Sequence, residues 1–499
     1  MASFTVRIDA NRAPVAGVFV RKLTGREAIS EVYRFEVEVV CAASTGLPEE
    51  LAPNALVSLV FVENDLDVRR IHGFVLELDA ELEVLGDHHA YRLVVVPRLH
   101  QLTLGNYPSV YVNTTVEHML EAEFALQHFE PARDYTVNLD WKPPARALMI
   151  QHDETDFGFV SRLTEHYGIS YLFDELDGHE RVIFTNYFGG FPRCENAEEV
   201  IFNSSGSTSG VYALTESTRL IPSVYQVTDY NYRLPQLALG AEHLLQGDGL
   251  AGNSVEGDTN TMSPDEATML AQIRAEEQHC RQLRYRGKST LATFSAGYRT
   301  TLTEHARLGE SGRAELLLIE VVHTAELATP WHPTTVSSYK NEFVAVPAAR
   351  PFRPARRTPR PRMPSVVTGT IMPLSPRASI EAAEGSRPVL DTDGSYEVRF
   401  HFDLEKGRER TRWSSPIRMA QPFEGGNYGM HFPLRPGTEV LIAFENGDPD
   451  RPIIIGALPN AIQPSPVTST NANFHRLRSP NGIVVEFGAL HTKEENAPS

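Results

Sequence analysis

Short runs in which apolar and polar residues alternate are the feature that most constrains the fold of this chain. Two of them are FTVRI (residues 4–8) and FEVEV (residues 35–39), and the series continues through residues 57–62 and 91–96. An alternation of two residues places every second side chain on the same face of a β-strand. Because Gly, Pro and Asp separate the runs, the first hundred residues are predicted to form a β-barrel or closed sheet.

Three segments break this alternation and predict helices. The first follows Thr114 or Thr115, where apolar residues recur at helical spacing behind a capping side chain. The second is predicted over residues 153–167 and ends before Gly168, a residue type that commonly terminates helices. The third begins with SPDE (residues 263–266), in which Ser caps the helix, Pro takes its first position and Glu completes a capping box.

Residues 347–364 divide the chain, because this segment holds six Arg, six Pro and no acidic residue. Its density of Pro predicts a stiff, extended linker. From 366 to 460, short strands alternate with turns rich in Gly, Pro and Asp, and no helical pattern intervenes. In a segment of this length, that arrangement predicts a small five-stranded barrel of the OB type.

The balance of charge argues against nucleic acid as a partner. The chain carries a net charge of −18, whereas proteins bind phosphate backbones through Lys and Arg residues that displace counterions. Cys41, Cys194 and Cys280 lie far apart without CxxC spacing, so neither a disulfide framework nor a zinc site is predicted. We expect three buried free thiols.

Longer motifs carry a resemblance to a known family. Four of them follow one another, and they are WSSPIRMAQPF (residues 413–423), GGNYGMHFP (residues 425–433), RPGTEVLIAF (residues 435–444) and GDPDRPIIIG (residues 447–456). Together they resemble the VgrG family of type VI secretion spikes. QHDETDFGF (residues 151–159) is similar to the hub signature of that family, and the resemblance spans about residues 4–460.

The resemblance implies a homotrimer whose N-terminal regions form a hub of barrel domains, seated on a tube of stacked hexameric rings. Two similar barrels in each chain would give pseudo-sixfold symmetry from three chains. OB-type barrels would follow as a collar, and intertwined C-terminal strands would form a needle. The implied partners are an Hcp-like tube protein, baseplate components, a PAAR-type tip protein and effectors.

The predicted fold class is mainly β with minor α, divided into four regions. They are a tail-hub-like region of two β-barrels with packing helices (1–346), the Arg/Pro-rich linker (347–365), an OB-fold collar (366–460), and a short connector with the start of a trimeric β-helix needle (461–499). In this needle start, Ile483, Val485 and Phe487 would need neighbours from other chains. So short a needle argues against a tip protein on this chain, and a truncation and a naturally short spike both remain open.

Candidate chemical groups have structural interpretations. Asp153, Glu154 and Asp156 form an acidic cluster of the kind that glycoside hydrolases use, but a helix N-terminus also stabilises negative charge. GDPDR (residues 447–451) is interpreted as a tight turn, because a calcium loop spaces its ligands over about a dozen residues. The Gly-rich run at 247–252 lacks the Lys of a phosphate loop and is expected to be a flexible surface loop.

The remaining candidates are His and aromatic residues. His88 and His89 are expected in a solvated hairpin turn, since no His or Cys accompanies them at metal-ligand spacing. Four aromatic residues are expected to fill barrel and trimer contacts instead of stacking bases. They are Trp413, Phe423, Tyr428 and Phe432. The sequence therefore predicts no catalytic, cofactor-binding or metal-binding residue, and no cofactor.

We predict a structural hub and spike that punctures target membranes and carries effectors, not an enzyme. The spike of a phage tail or of an extracellular contractile particle remains an alternative. A cell-wall hydrolase would need a domain for which the 13 residues between Asn460 and Phe474 leave no room. An oligonucleotide-binding collar would depend on Arg399, Arg410 and Arg412.

The N-terminal residues contain no apolar signal core, and no stretch approaches the roughly 18 to 20 apolar residues of a membrane span. The protein is therefore expected in the cytoplasm during assembly. Afterwards it is expected outside the cell or inside a target cell, delivered by the injection machine without a signal peptide.

Overall fold

The described residues of this computed structural model are 4–81, 87–176, 178–204, 209–308, 311–373, 387–404 and 412–488. They fall into two units. The first comprises residues 1–107, 114–145 and 153–360, and the second comprises residues 108–113, 146–152 and 361–499. Sequence predictions that involve Arg410 or residues 489–499 lie outside the described residues. The four predicted regions stay predictions.

Strands dominate the described residues, and the predicted class of a mainly β fold with minor α is confirmed. The strands are β1 (Phe4–Ala10), β2 (Ala13–Pro14), β3 (Val18–Ala28), β4 (Arg34–Ala42), β5 (Leu56–Glu63), β6 (Leu66–Ala80), β7 (His88–Val96), β8 (Ser109–Thr114), β9 (Tyr135–Asn138), β10 (Arg146–Gln151), β11 (Ser170–Leu176), β12 (His179–Thr185), β13 (Glu199–Ile201), β14 (Val211–Thr218), β15 (Val224–Asp229), β16 (Leu239–Leu244), β17 (Asn253–Glu256), β18 (Leu283–Ser289), β19 (Arg299–Thr303), β20 (Ala314–Glu326), β21 (Ser338–Pro347), β22 (Val367–Ile371), β23 (Val398–Phe400), β24 (Glu424–Gly425), β25 (Tyr428–Gly429), β26 (Glu439–Phe444), β27 (Pro452–Leu458), β28 (Phe474–Arg478) and β29 (Val484–Gly488).

One thirteen-stranded sheet organises the first unit. Its main path is β14-β18-β21-β20-β3-β4-β7-β6-β5-β1-β2, with β19 beside β20 and β13 beside β19. Alternating side chains bury two of its cores, one formed mainly by strands β1 to β7 together with Ala325 of β20 and Tyr339 of β21, and one formed mainly by strands between β13 and β21. Because the pairing of β3 with β20 joins the two halves into one sheet, the division into two barrels stays a prediction.

Two of the three predicted helices begin where their caps predict. Helix α1 (Val116–Leu126) starts after Thr115, whose side chain accepts a hydrogen bond from the His118 amide. Helix α3 (Pro264–His279) starts after Ser263, which accepts from the Glu266 amide at 3.2 Å. The Glu266 carboxylate accepts in turn from the Met262 amide at 2.7 Å. The side chains of Ser263 and Glu266 thus each accept a hydrogen bond from a backbone amide at the N-terminus of the helix.

Helix α2 (Asp156–His166) begins three residues later than predicted. Asp153 has a positive φ of 54°, and the side chain of Thr155 caps the helix by accepting from the Gly158 amide. Gly168, with a φ of 63°, follows the helix end as predicted. Short 3₁₀ helices complete the described elements at Glu49–Leu51, Arg98–Thr103, Phe188–Gly190 and Glu445–Gly447.

The second unit is built on a four-stranded sheet in the order β23-β22-β26-β27. Strands β8 and β10, which lie far earlier in the sequence, pair with each other and contribute Val110, Leu148 and Ile150 to the same core. The described residues thus give four of the five predicted barrel strands in the main sheet, and a bridge between Met419 and Ile454 extends it. The GDPDR segment forms the predicted turn between β26 and β27.

The prediction for His88 is wrong. His88 begins β7 and is buried, and its ring stacks on Trp331 with centroids 5.3 Å apart. The ring of His332 lies edge-on to the His88 ring, with centroids 5.5 Å apart. These partners are more than 240 positions away in the sequence, so no local pattern indicates the contact.

Candidate functional site

An arginine-rich stretch, residues 350–360, ends the first unit in the sequence, and we call it the anchor segment. It holds no helix or strand, in keeping with its Pro content. Arg353 is at its centre, and its side chain is only about 10% exposed. Its Nε lies 2.7 Å from a carboxylate oxygen of Glu276, and its Nη1 donates to the Asn186 carbonyl at 2.7 Å. The Arg353 side chain therefore ties the anchor segment to helix α3 and to the loop after β12.

A second set of charges surrounds Glu256 at the end of β17. Arg356 lies 2.7 Å from the Glu256 carboxylate and 3.0 Å from that of Glu277, and Arg274 lies 2.8 Å from Glu256. Burial opposes ionisation of Glu256, but the two arginines outweigh it and lower its pKa below the ordinary value. The ionised form is thus the one that holds the anchor segment.

Glu165 in helix α2 receives the backbone of the anchor segment. One of its oxygens accepts from the amides of Arg357 and Thr358, each at 2.9 Å, and the other accepts from the Thr358 hydroxyl at 3.0 Å. Burial raises the pKa of Glu165 despite these hydrogen bonds. Helices α2 and α3 therefore both hold the segment, α2 through Glu165 and α3 through Glu276 and Glu277.

The acidic cluster considered for catalysis serves these local contacts. Glu154 pairs with Arg162 at 2.8 Å, with both side chains about nine-tenths buried or more. Asp156 lies in the first turn of helix α2, and its amide donates to the Gly105 carbonyl at 3.0 Å. Asp153 lies outside the helix. Glu154 through its carboxylate and Asp156 through its amide thus take part in folding contacts of the first unit.

A buried polar network crosses the large sheet at the junction of β3 and β20. Glu27 lies 2.6 Å from Arg69 and 2.8 Å from the Nε2 of His323, whose Nδ1 lies 2.6 Å from the Tyr339 hydroxyl. Arg69 also donates to the Phe294 carbonyl at 2.7 Å. Burial alone would raise the pKa of Glu27, but Arg69 and His323 lower it to about 2. Burial, conversely, lowers the pKa of His323.

In the second unit, Asp450 connects the β26–β27 turn to β10. Its carboxylate accepts from the Ile150 amide at 2.7 Å and lies 3.8 Å from the guanidinium of Arg146. Arg146 and Asp450 are both more than nine-tenths buried as side chains. The interpretation of GDPDR as a turn without a metal role did not foresee this contact, because β10 lies 300 residues earlier in the chain.

Apolar side chains are exposed at two hairpins of the second unit. On the β24–β25 hairpin and its flanks, Phe423, Tyr428 and Phe432 are each more than half exposed, so the prediction that they fill the barrel is wrong for a single chain. Trp413 is partly buried beneath Arg399, with its ring 5.0 Å from the guanidinium carbon. Contacts of these residues in a trimer stay a prediction.

The second exposed hairpin is the pair β28–β29, which we call the C-terminal hairpin. All five residues of β29 are exposed, and among them Phe487 is 67% exposed. The apolar residues exposed on the hairpin and its turn are Phe474, Leu477, Ile483, Val484, Val485 and Phe487. Strands that expose apolar residues on both faces require further strands to cover them.

Other expectations have varied outcomes. Cys41, Cys194 and Cys280 are free and buried, as predicted.

In the Gly-rich run at 247–252, the carbonyls of Asp248 and Gly249 accept hydrogen bonds from the side-chain amide of Gln282. Within the described ranges, no group of three or more His, Cys, Asp or Glu residues could hold a metal ion. No helix among the described residues is long and apolar enough to cross a membrane.

Sequence reasoning missed the partners of the anchor segment. The signal that could have found them is complementary charge. The anchor segment contains five arginines and no acidic residue, whereas helix α3 carries the adjacent pair Glu276 and Glu277. When one chain contains an arginine-rich segment without acidic residues and a helix rich in acidic residues, ion pairs between the two can be predicted.

Two family models match the chain. The model described as phage tail baseplate hub (GPD) matches residues 26–329, more than half of the chain, and the model described as type VI secretion system/phage-baseplate injector OB domain matches residues 387–458. The first covers all three helices and most strands of the large sheet, while β1, β2 and β21 lie outside it. The second covers most of the four-stranded sheet of the second unit.

Curated relatives match over nearly the whole chain. The type VI secretion system spike protein VgrG4b of Pseudomonas aeruginosa is 28% identical over 500 residues, which cover 96% of this chain and 59% of the relative. The actin cross-linking toxin VgrG1 of Vibrio cholerae is 24% identical over 497 residues, which cover 94% of this chain and 43% of that protein. The chain thus spans about half the length of these relatives.

Solved structures share the fold. An E. coli protein described as a component of the type VI secretion system, with structural similarity to the T4 bacteriophage tail proteins gp27 and gp5, superposes with a TM-score of 0.64 at 21% identity. The superposition covers 91% of this chain and 100% of the E. coli chain. The half-lidded Francisella PdpA-VgrG complex superposes with a TM-score of 0.63 at 9% identity, covering 98% of this chain and 83% of the matched chain.

Proposed function

The chain belongs to the phage tail baseplate hub family, and from this premise we propose that it is the structural hub and spike of a type VI secretion machine. In this role it assembles as a homotrimer on the tube and transmits the force that drives the tip of the spike through a target membrane. The names of its curated relatives favour the type VI machine over a phage tail or an extracellular particle. Function resides in shape and stiffness, and no residue is assigned to catalysis.

The observation that carries the proposal is the exposure of the C-terminal hairpin. Two short strands with apolar residues on both faces are unstable alone in water, because a hairpin needs at least a third strand or a packed face. Copies of the same hairpin supply such strands in a needle with threefold symmetry. Val485 and Phe487 then lie against other chains.

The anchor segment suits a part that carries load. Its Pro content makes the segment stiff, and Arg353, Arg356 and Thr358 bond it to two helices of the first unit. Ion pairs with buried carboxylates resist displacement, since separating them leaves an uncompensated buried charge. Force that enters through the segment is therefore distributed over helices α2 and α3.

The partners we propose follow from the family. An Hcp-like tube protein and baseplate components would contact the hub, and effectors would travel with the spike. Nucleic acid is not proposed as a partner, because the chain is strongly acidic. The protein is proposed to leave the cell through the machine itself.

The test is the mass of the purified protein in solution at micromolar concentration, measured by light scattering or native mass spectrometry. The expected result is three times the mass of one chain. A stable monomer would contradict the proposal. Turnover of peptidoglycan by the purified protein would contradict its assignment as a structural part.

A further inference from the structure

Several arginines lie close together where helix α3 ends and strand β18 begins. They are Arg219, Arg281, Arg284, Arg286 and Arg350. Burial lowers the pKa of Arg284, and the positive charges of three of the other arginines lower it further. In a chain with a net charge of −18, such a concentration of like charges requires an explanation.

The end of helix α3 accounts for two of these side chains. Arg281 donates to the Glu277 carbonyl at 2.7 Å, and Arg350 donates to the His279 carbonyl at 3.0 Å. Carbonyls in the last turn of a helix lack partners within the helix and carry partial negative charge, so arginines stabilise them. Arg281 and Arg350 therefore have a structural role.

The other three, Arg219, Arg284 and Arg286, lie on one face of the β14–β18 pair, and we call them the arginine cluster. Ser217 lies opposite Arg284, and the Arg219 amide extends the same ladder by donating to the Gln282 carbonyl at 3.0 Å. Arg219 is thus the diagonal neighbour of Arg284, at about 7 to 8 Å between Cα atoms, a distance that long side chains bridge. Arg286 follows Arg284 by two residues and so lies on the same face.

The arginine cluster has no carboxylate partner among the described residues. Arg219 donates to the side-chain oxygen of Gln278 at 3.0 Å, which is a neutral acceptor. The Nε of Arg284 is buried without a hydrogen-bond partner, and Arg286 is exposed beside Val344 of β21. A buried donor of a charged group costs free energy until an acceptor reaches it.

Other basic residues of the large sheet are matched by acids. Arg34 of β4 lies 3.2 Å from Glu77 of β6. On β18 itself, Lys288 lies two residues beyond Arg286 and pairs with Glu342 at 2.8 Å. The arginine cluster therefore differs from its surroundings in lacking a counter-charge.

A buried hydroxyl lies near the cluster. Tyr225 of β15 is 4% exposed, and its hydroxyl has no hydrogen-bond partner among the described residues. Burial raises the pKa of Tyr225 to about 12, and the nearby charge of Arg219 opposes this rise. Since the hydroxyl stays protonated, it can donate to an anion that Arg219 holds.

The Gly-rich run at 247–252 borders the same place. The Gln282 side chain donates to two carbonyls of the run, and the Ile221 amide, two residues after Arg219, donates to one of them at 3.2 Å. The one acid of the run, Asp248, is exposed. The run lacks the Lys of a phosphate loop, but the arginine cluster brings positive charge from the neighbouring strands.

We propose that the arginine cluster binds a phosphate group, either inorganic phosphate or the phosphate monoester of a small molecule. A phosphate carries close to two negative charges and several acceptor oxygens, so it can accept from more than one guanidinium at once. A carboxylate has one charge and two oxygens. An extended anionic surface is disfavoured, because the rest of the chain is acidic and repels it. The proposal does not rest on the proposed function.

The experiment is isothermal titration calorimetry of inorganic phosphate into the full chain at constant ionic strength. Saturable binding is expected. Arg284→Gln and Arg286→Gln are each expected to weaken it about tenfold or more, the scale of one lost hydrogen bond to a charged group. Thermal unfolding checks that each variant folds. Because Arg286 is exposed, its substitution tests the site even if Arg284→Gln is unstable.

The matched control is Lys288→Gln, which removes the next positive charge on the same face of the same strand. Since Lys288 already pairs with Glu342 at the surface, this change is expected to alter the affinity less than about twofold. Loss of binding in the two arginine variants but not in the control supports the proposal. A parent protein that does not bind phosphate, or three variants that bind alike, overturns it.

Two further titrations test the class of ligand. Acetate is expected to bind far more weakly than phosphate, and equal affinity overturns the assignment of a phosphate group. Vesicles of phosphatidylcholine and phosphatidylglycerol separate a lipid headgroup from a free phosphate. If the parent binds these vesicles through Arg286 but does not bind inorganic phosphate, the small ligand is overturned. Failure of the phosphate site leaves the proposed spike intact, since the mass of the assembly tests that separately.

Discussion

The guanidinium Nε of Arg353 and the carboxylate of Glu276 meet at 2.7 Å, and each side chain is only about 10% exposed. Arg353 belongs to a Pro-rich segment without helix or strand, and Glu276 belongs to helix α3. Two charges buried together stabilise a fold only while both are present, because each compensates the desolvation of the other. Removing one member of this pair therefore tests whether the pair holds the anchor segment in position.

Replacing Arg353 with Met is expected to lower the free energy of unfolding of the first unit by about 3 to 5 kcal/mol, because Glu276 is left buried without its partner. The measurement is urea unfolding followed by fluorescence. Lys288→Met is the control, since Lys288 pairs with Glu342 at the surface, where such pairs contribute at most about 1 kcal/mol. Equal effects of the two substitutions would show that the anchor segment is not held by this pair.

Glu27→Gln is expected to destabilise the first unit at pH 7 by about 3 kcal/mol. Arg69 and His323 lower the pKa of Glu27 to about 2, so its ionised form stabilises the fold above its ordinary pKa of 4.5. That contribution is lost as the pH falls from about 4.5 toward 2. Unfolding curves of parent and variant should converge over that range. A difference that stays constant down to pH 3 would contradict the assignment.

Glu180→Gln is expected to show the opposite dependence on pH. Burial raises the pKa of Glu180, while the Arg98 amide donates to its carboxylate at 2.7 Å. Ionisation above the ordinary pKa of 4.5 then favours the unfolded chain, so the parent loses stability relative to the variant as the pH rises. The variant should be more stable at pH 8 and equal at pH 4. Glu242→Gln, an exposed change on β16, controls for the loss of one charge.

Asp450→Ala is expected to loosen β10 in the second unit, because it removes the acceptor of the Ile150 amide and the carboxylate facing Arg146. The expected loss is about 2 kcal/mol, the scale of a buried hydrogen bond to a charged group. Hydrogen exchange at the Ile150 amide measures it directly. Asp450→Asn keeps an oxygen acceptor and should retain most of the protection. Unchanged exchange in Asp450→Ala would rule out this role.

Phe487→Asp is expected to weaken the trimer and to raise the fraction of monomer at a given concentration. Phe487 is 67% exposed in a single chain, so its ring is available for burial against other chains. A carboxylate at this position would have to lose its water on trimer formation, which is unfavourable. Sedimentation at several concentrations measures the effect. Leu104→Asp is the control, because Leu104 is 71% exposed but lies in the first unit. If both variants dissociate alike, the C-terminal hairpin is not a trimer contact.

Local signals in the sequence were sufficient for several elements. Helix α3 begins at Ser263 because the cap, the Pro and the Glu of the capping box lie within four positions. Strand β1 and its neighbours follow from alternation alone. Helix α2 was misplaced because Glu154, which looks like a first-turn acid, reaches along the helix to Arg162 instead.

Distant contacts could not be foreseen in this way. The contact of His88 with Trp331 and that of Ile150 with Asp450 join residues 243 and 300 positions apart. No periodicity or motif relates such positions. Long-range contacts of this kind determine which polar residues are buried, and so they decide the candidate site.

The sequence by itself determined the strand and helix types, the order of the motifs and the resemblance to a spike family, because these depend on neighbouring residues. Only the tertiary structure decided which carboxylates hold Arg353 and Arg356 and that β8 and β10 join the second unit. The physical reason is that burial and pairing depend on side chains brought together from far along the chain, where hydrogen bonds and ion pairs replace contacts with water.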